Sequence, residues 1–64
     1  MDIKTVLTNL DNTIAGKRAL LTKLYARRDM NKGADIASHA VCEFLEINIA
    51  ELEHIRADVA LVDQ

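Results

Sequence analysis

The spacing of apolar residues constrains this chain more than any other feature, because they recur at alternating intervals of three and four in both halves. Such spacing predicts α-helices that each pack along one stripe, whereas a β-strand would place apolar residues at every second position. We therefore predict two long amphipathic helices. The residues of the core or dimer seam are Ile3, Val6, Leu7, Leu10, Ile14, Leu21 and Leu24 in the first half, and Val41, Phe44, Leu45, Leu52, Ile55, Val59 and Val62 in the second.

A polar stretch around Gly33 separates the two periodic halves. Gly33 suits the left-handed position that follows many helices, and Asp35 suits the cap or first turn of the next helix. With the chain reversing at Lys32-Gly33, the helices are predicted at about residues 2–31 and 34–62. The predicted fold class is all-α, a single antiparallel helical-hairpin domain over residues 1–64.

This reversal also predicts a register between the helices. Facing residues should have numbers that add to about 65, because a short connection makes the helices antiparallel neighbours. Five apolar pairs then form: Ile3 with Val62, Val6 with Val59, Leu10 with Ile55, Leu21 with Phe44, and Leu24 with Val41.

The same register places Lys17 opposite Asn48, near the middle of both helices. Polar residues within an apolar seam lower stability but fix register and oligomeric state. We interpret this pair as a polar register layer; a ligand-contacting lysine is the alternative.

Two helices alone cannot enclose their own apolar stripes, so we expect a partner. The simplest partner is a second copy, which would give a homodimeric four-helix bundle whose hairpin orientation is left open. A single hairpin docked on an unrelated host or phage protein is the alternative.

Charge divides unevenly between the two halves. Residues 1–32 carry a net charge of +4 and residues 33–64 carry −6. Side-by-side helices of opposite charge attract, which favours complementarity within and between subunits. The alternative is a basic nucleic-acid surface. Its candidate phosphate-binding residues lie near the turn and are Lys23, Arg27, Arg28 and Lys32.

Other kinds of site are weakly supported by the composition. The one cysteine excludes an intrachain disulfide and fits a cytoplasmic protein, and charges interrupt every apolar run, so we expect no signal peptide or membrane span. His39 and Cys42 are spaced to share a helix face, but a closed zinc site requires four ligands. We predict no metal, no cofactor and no enzymatic activity.

Two short fragments, Leu20-Leu21-Thr22-Lys23-Leu24 and Ala34-Asp35-Ile36, carry a resemblance to a known family. Together with the chain length and the two helices, they resemble the Rop-type plasmid copy-number regulators, short helical hairpins that dimerise into four-helix bundles. The resemblance implies a homodimer, and it implies RNA binding through polar residues around an exposed aromatic on helix 1, for which no matching residues are found here.

These observations together predict a small cytoplasmic homodimeric interaction or regulatory protein, of the kind found among phage or plasmid accessory factors. An RNA- or DNA-binding modulator that uses the basic ends of the bundle is the alternative.

Overall fold

The computed structural model describes residues 2–30 and 36–63, and the side chains of residues 2–27 and 38–63. Helix α1 spans Ile3–Met30 and helix α2 spans Ile36–Val62. The two helices pack lengthwise against each other in a particle of 48 × 15 × 15 Å. The predicted all-α hairpin is confirmed, with helix bounds within two residues of those expected. The predicted reversal at Lys32-Gly33 lies outside the described residues.

Asp2 caps the first helix. Its carboxylate accepts hydrogen bonds from the Lys4 backbone N–H at 3.1 Å and from the Thr5 hydroxyl at 3.3 Å. Its carbonyl accepts the Val6 backbone N–H at 3.1 Å, which is the first bond of the helical ladder. A side-chain oxygen that takes up an unsatisfied N–H of the first turn typically stabilises a helix by about 1 kcal/mol. Asp2 therefore fixes where α1 begins.

The core is a narrow line between the helices. Among the described side chains, the buried ones are Ile14 on α1 and Cys42, Leu45 and Ile49 on α2. They are flanked by half-buried seam residues, namely Ile3, Val6, Leu7, Leu10, Leu21 and Leu24 on α1 and Leu52 and Val59 on α2. The α1 stripe therefore faces α2 along most of its length.

On α2, the inward face differs from the predicted pairing. Val41, Phe44, Ile55 and Val62 were each paired with an α1 residue, but these four side chains are 47, 66, 48 and 70 % exposed. The buried positions Cys42, Leu45 and Ile49 continue through Leu52 and Arg56 to Val59 with alternating spacings of four and three. Every second position of this stripe lies one residue further along α2 than predicted. The stripe as a whole is therefore rotated by roughly 50° around the helix relative to the predicted one.

The register is displaced relative to the prediction as well. Arg18 on α1 pairs with Glu53 on α2, although the predicted register places Glu53 opposite Asn12. Tyr25 donates a hydrogen bond to Glu46, which again pairs with a residue further along α1 than predicted. Helical side chains lean toward the N-terminus of their own helix. Side chains that meet across an antiparallel pair therefore belong to residues whose numbers add to more than those of the residues with facing backbones. Part of the displacement follows from this lean.

Truncating single side chains should distinguish the inward face of α2 from its exposed positions. Leu45 is 6 % exposed, so we expect Leu45→Ala to lower the free energy of unfolding by about 2–5 kcal/mol. Leu61 is 64 % exposed, and Leu61→Ala should change it by about 0.5 kcal/mol or less. Urea unfolding at one fixed protein concentration measures both. Equal losses in the two variants would contradict this packing.

Candidate interaction surface

One side of the hairpin is held together by polar contacts between the helices. The Arg18 guanidinium pairs with the Glu53 carboxylate, and the Tyr25 hydroxyl donates to the Glu46 carboxylate. Arg18 and Glu53 are both about half exposed, so these contacts lie at the rim of the helix–helix interface. We call these four residues the polar flank. Exposed ion pairs add little stability individually, but the residues that they join must lie on the same side of the hairpin.

Asp11 and Arg56 form a third link between the helices. The guanidinium of Arg56 donates from Nε to Oδ1 of Asp11 at 2.9 Å and from Nη2 to Oδ2 at 3.3 Å, a two-point geometry that orients both groups. Hydrogen bonding from Arg56 holds the pKa of the Asp11 carboxyl below its usual range; desolvation acts in the opposite direction, and the positive charge of Arg56 adds to the lowering. The same contact raises the pKa of Arg56.

The side opposite the polar flank is apolar. Successive helical residues are rotated by about 100°, so Leu20 lies about 160° around α1 from Arg18. On α2, Phe44 and Val62 each lie nine residues from Glu53, which is about 180° around the helix. Because Arg18 and Glu53 touch, their opposite flanks must also share one side of the hairpin.

That side carries several large exposed hydrophobic residues. Leu20 is 48 % exposed, comparable to Val41 and Ile55 on α2. We call this surface the apolar flank; its residues are Leu20, Val41, Phe44, Ile55 and Val62. The half-buried Val6 and Leu24 border it on the α1 side. Large contiguous apolar patches on a soluble protein typically mark an interaction site.

The predicted polar layer borders the same flank. Lys17 and Asn48 are both half-buried near the middle of their helices. Asn48 lies between Phe44 and Ile55 along α2, four residues after the one and seven before the other, which places it within the apolar flank. Within residues 2–27 and 38–63, the described ion pairs do not include Lys17. The ammonium of Lys17 is therefore left at the edge of an apolar surface.

The other candidate residues are not assembled into a site. Lys23 and Arg27 are exposed on α1, whereas the side chain of Arg28 and all of Lys32 lie outside the described residues. His39 is exposed while Cys42 is a buried free thiol. Over the described part of the chain, no group of three or more His, Cys, Asp or Glu residues is arranged to hold a metal ion.

The exposed area shows how much surface remains uncovered. A compact monomer of 7.1 kDa is expected to expose about 4,100 Å², whereas the hairpin exposes 4916 Å². The excess of roughly 800 Å² is surface that a compact chain of this mass would cover. The elongated shape and the apolar flank both contribute to this excess.

Sequence reasoning missed the inward roles of Cys42, Ile49 and Arg56. The spacing of Cys42, Leu45 and Ile49 is as regular as that of the predicted seam, so periodicity alone favoured neither stripe. The charged end of Arg56 argued against an inward position, but its aliphatic stem can line the contact while the guanidinium reaches Asp11. The signal that could have found this stripe is the opposite charge of Asp11 and Arg56.

The described helices include no segment that is long and apolar enough to cross a membrane. In comparisons with known proteins, no family model, curated protein or solved structure matches the chain. The resemblance to Rop-type regulators thus stays a prediction.

The Asp11–Arg56 pair should make stability depend on pH. Because the folded pKa of Asp11 is lowered, its contribution is present above the ordinary Asp pKa of about 3.9 and is lost as the pH falls through the lowered value. We expect Asp11→Asn to lower the unfolding temperature at neutral pH, and the difference from wild type to disappear in acid. Thermal unfolding followed by circular dichroism across pH 2–7 measures this.

Arg56→Gln provides the matched background for this prediction. Without the guanidinium, Asp11→Asn should have no further effect at any pH. A difference that persists unchanged at low pH, or that survives in the Arg56→Gln background, would contradict the assignment.

Proposed function

We propose that this protein is a small homodimeric protein–protein interaction and regulatory protein, in which a second copy covers the apolar flank to complete a four-helix bundle. The observation that carries the proposal is the segregation of polar and apolar surface, with interhelical ion pairs on one side and large hydrophobic residues on the other. A two-fold dimer buries the same patch from both copies, which suits a surface on one side of the molecule.

The size of the uncovered surface supports the same partner. The hairpin exposes roughly 800 Å² more than a compact monomer of its mass, so surface is available for a dimer interface of the standard size of about 1,600 Å². Each helix in a four-helix bundle contacts two neighbours, so the α2 stripe that faces α1 and the adjacent apolar flank are both used. Two stripes on one helix are then accounted for by two neighbours.

The regulatory part of the proposal concerns the surface outside the dimer. The outer face of α1 consists of small or uncharged exposed side chains, namely Thr5, Thr8, Asn12, Ala15, Ala19, Thr22 and Ala26. Small side chains let another backbone approach closely. We propose that this face contacts a host or phage protein and that the dimer acts in the cytoplasm as a phage or plasmid accessory factor, as the sequence suggests.

A charge placed on the apolar flank tests the dimer. Phe44 is 66 % exposed in the single hairpin, and we expect Phe44→Lys to leave the helices intact but to prevent association. Each dimer carries the substitution twice, and losing about 1.5–3 kcal/mol of burial per Phe weakens dimerisation by about 100-fold or more. Sedimentation equilibrium measures the mass and the dissociation constant.

Leu61→Lys is the matched control. Leu61 is as exposed as Phe44 but lies about 100° from it around α2, outside the apolar flank. We expect this variant to dimerise like wild type. A wild-type protein that is a folded monomer at micromolar concentration would overturn the proposal, as would equal effects of the two lysines.

A further inference from the structure

Two hairpins that meet through their apolar flanks can be arranged in two ways. If the two-fold axis runs along the helices, both connection ends, where α1 ends and α2 begins, lie together, and α1 of each copy packs on α2 of the other. If the axis runs across the helices, the connection ends lie at opposite ends, and α1 packs on α1 while α2 packs on α2. The two arrangements bring different side chains together.

We propose that the hairpins associate with their connection ends together, so that the apolar flank of α1 meets the partner's α2 throughout the bundle. This inference rests on the dimer proposed above and adds the orientation and the facing surface. Three observations on the charges and the apolar residues carry it.

The first observation is the charge of the helices as wholes. The half of the chain that contains α1 carries +4 and the half that contains α2 carries −6. With the connection ends together, every helix has two neighbours of opposite charge. The reversed arrangement places the two positive helices side by side and the two negative helices side by side. Complementary charge favours correct partners, and like charges across an interface oppose association.

The second observation concerns the middle of the apolar flank. Glu51 lies seven residues after Phe44, so it continues the apolar flank of α2 and is exposed. It is also close to the midpoint of α2, as Lys17 is to the midpoint of α1. The reversed arrangement brings each of these residues near its own copy, carboxylate to carboxylate and ammonium to ammonium.

With the connection ends together, the same two residues are complementary. Residues of α1 then lie at the same height as the residues of the partner's α2 that they face within one hairpin, where Arg18 pairs with Glu53 and Tyr25 with Glu46. Lys17 therefore stands beside the stretch of the partner's α2 that carries Glu51. An ammonium with a long aliphatic stem at the edge of an apolar surface can reach such a carboxylate.

The third observation is the match of apolar residues. With the connection ends together, Leu20 lies against the stretch of the second copy that runs from Phe44 to Ile55. Val6 lies against the stretch that ends at Val62, because Asp11 and Arg56 already place the start of α1 beside the end of α2. In the reversed arrangement, Val6 would instead face the charged Arg27 of the second copy.

Energy transfer between full-length chains tests the orientation. Thr5 and Ala26 are exposed on α1, and 21 residues separate them by about 31 Å along the helix at about 1.5 Å per residue. Thr5→Cys and Ala26→Cys are made in a Cys42→Ala background, with Cys42→Ser as a second background. Separate pools carry a donor or an acceptor of a short-range pair, and the pools are mixed to exchange subunits.

We expect efficient transfer between like positions, Thr5 to Thr5 and Ala26 to Ala26, and weak transfer between unlike positions. The reverse ordering, or equal transfer for all combinations, would overturn the proposed orientation while leaving the dimer in place. Absence of transfer in every combination, with chains that are folded by circular dichroism, would instead overturn the dimer on which the orientation rests.

Discussion

The line of apolar contact between α1 and α2 determines everything else in this structure, because it is too narrow to complete a core. Ile14 is buried from one helix, and Cys42, Leu45 and Ile49 are buried from the other. Chains of this length bury a smaller fraction of their surface than larger domains do, and helices gain most of their stability from packing. Large apolar side chains such as Leu20 and Phe44 therefore stay exposed in the single hairpin.

Five of the seven large hydrophobic side chains described as exposed lie on one side of the hairpin, whereas Ile47 and Leu61 lie on the outer face of α2. Arg18 with Glu53, Tyr25 with Glu46, and Asp11 with Arg56 link the helices along the polar flank or near it. These contacts contribute modestly to stability, since the groups are largely in water. They nevertheless mark the rotation of each helix, with Leu20 and Phe44 on the opposite side.

The sequence predicted the class of fold well because heptad spacing and a central glycine are local signals. The α1 stripe was read from Ile3 to Leu24 because its flanks, apart from Leu20, are polar or small, which favours one face. Helix α2 carries two adjacent apolar stripes, one through Val41, Ile55 and Val62 and the other through Cys42, Ile49 and Val59. Spacing alone does not reveal which of the two stripes faces α1. That choice depends on long-range pairs such as Asp11 and Arg56, which spacing along the chain does not record. The residues of the apolar flank on α2 were thus predicted as seam residues, but the sequence did not reveal that they lie outside the contact between α1 and α2.

The central proposal is that association with a second copy stabilises the folded hairpin. The most direct test is the unfolding temperature of the wild-type chain measured by circular dichroism over a hundredfold range of protein concentration. Binding to the folded state alone makes stability depend on concentration, so the account predicts that the unfolding temperature rises steadily with concentration. An unfolding temperature that stays constant over this range, with full helix content at the lowest concentration, would contradict it.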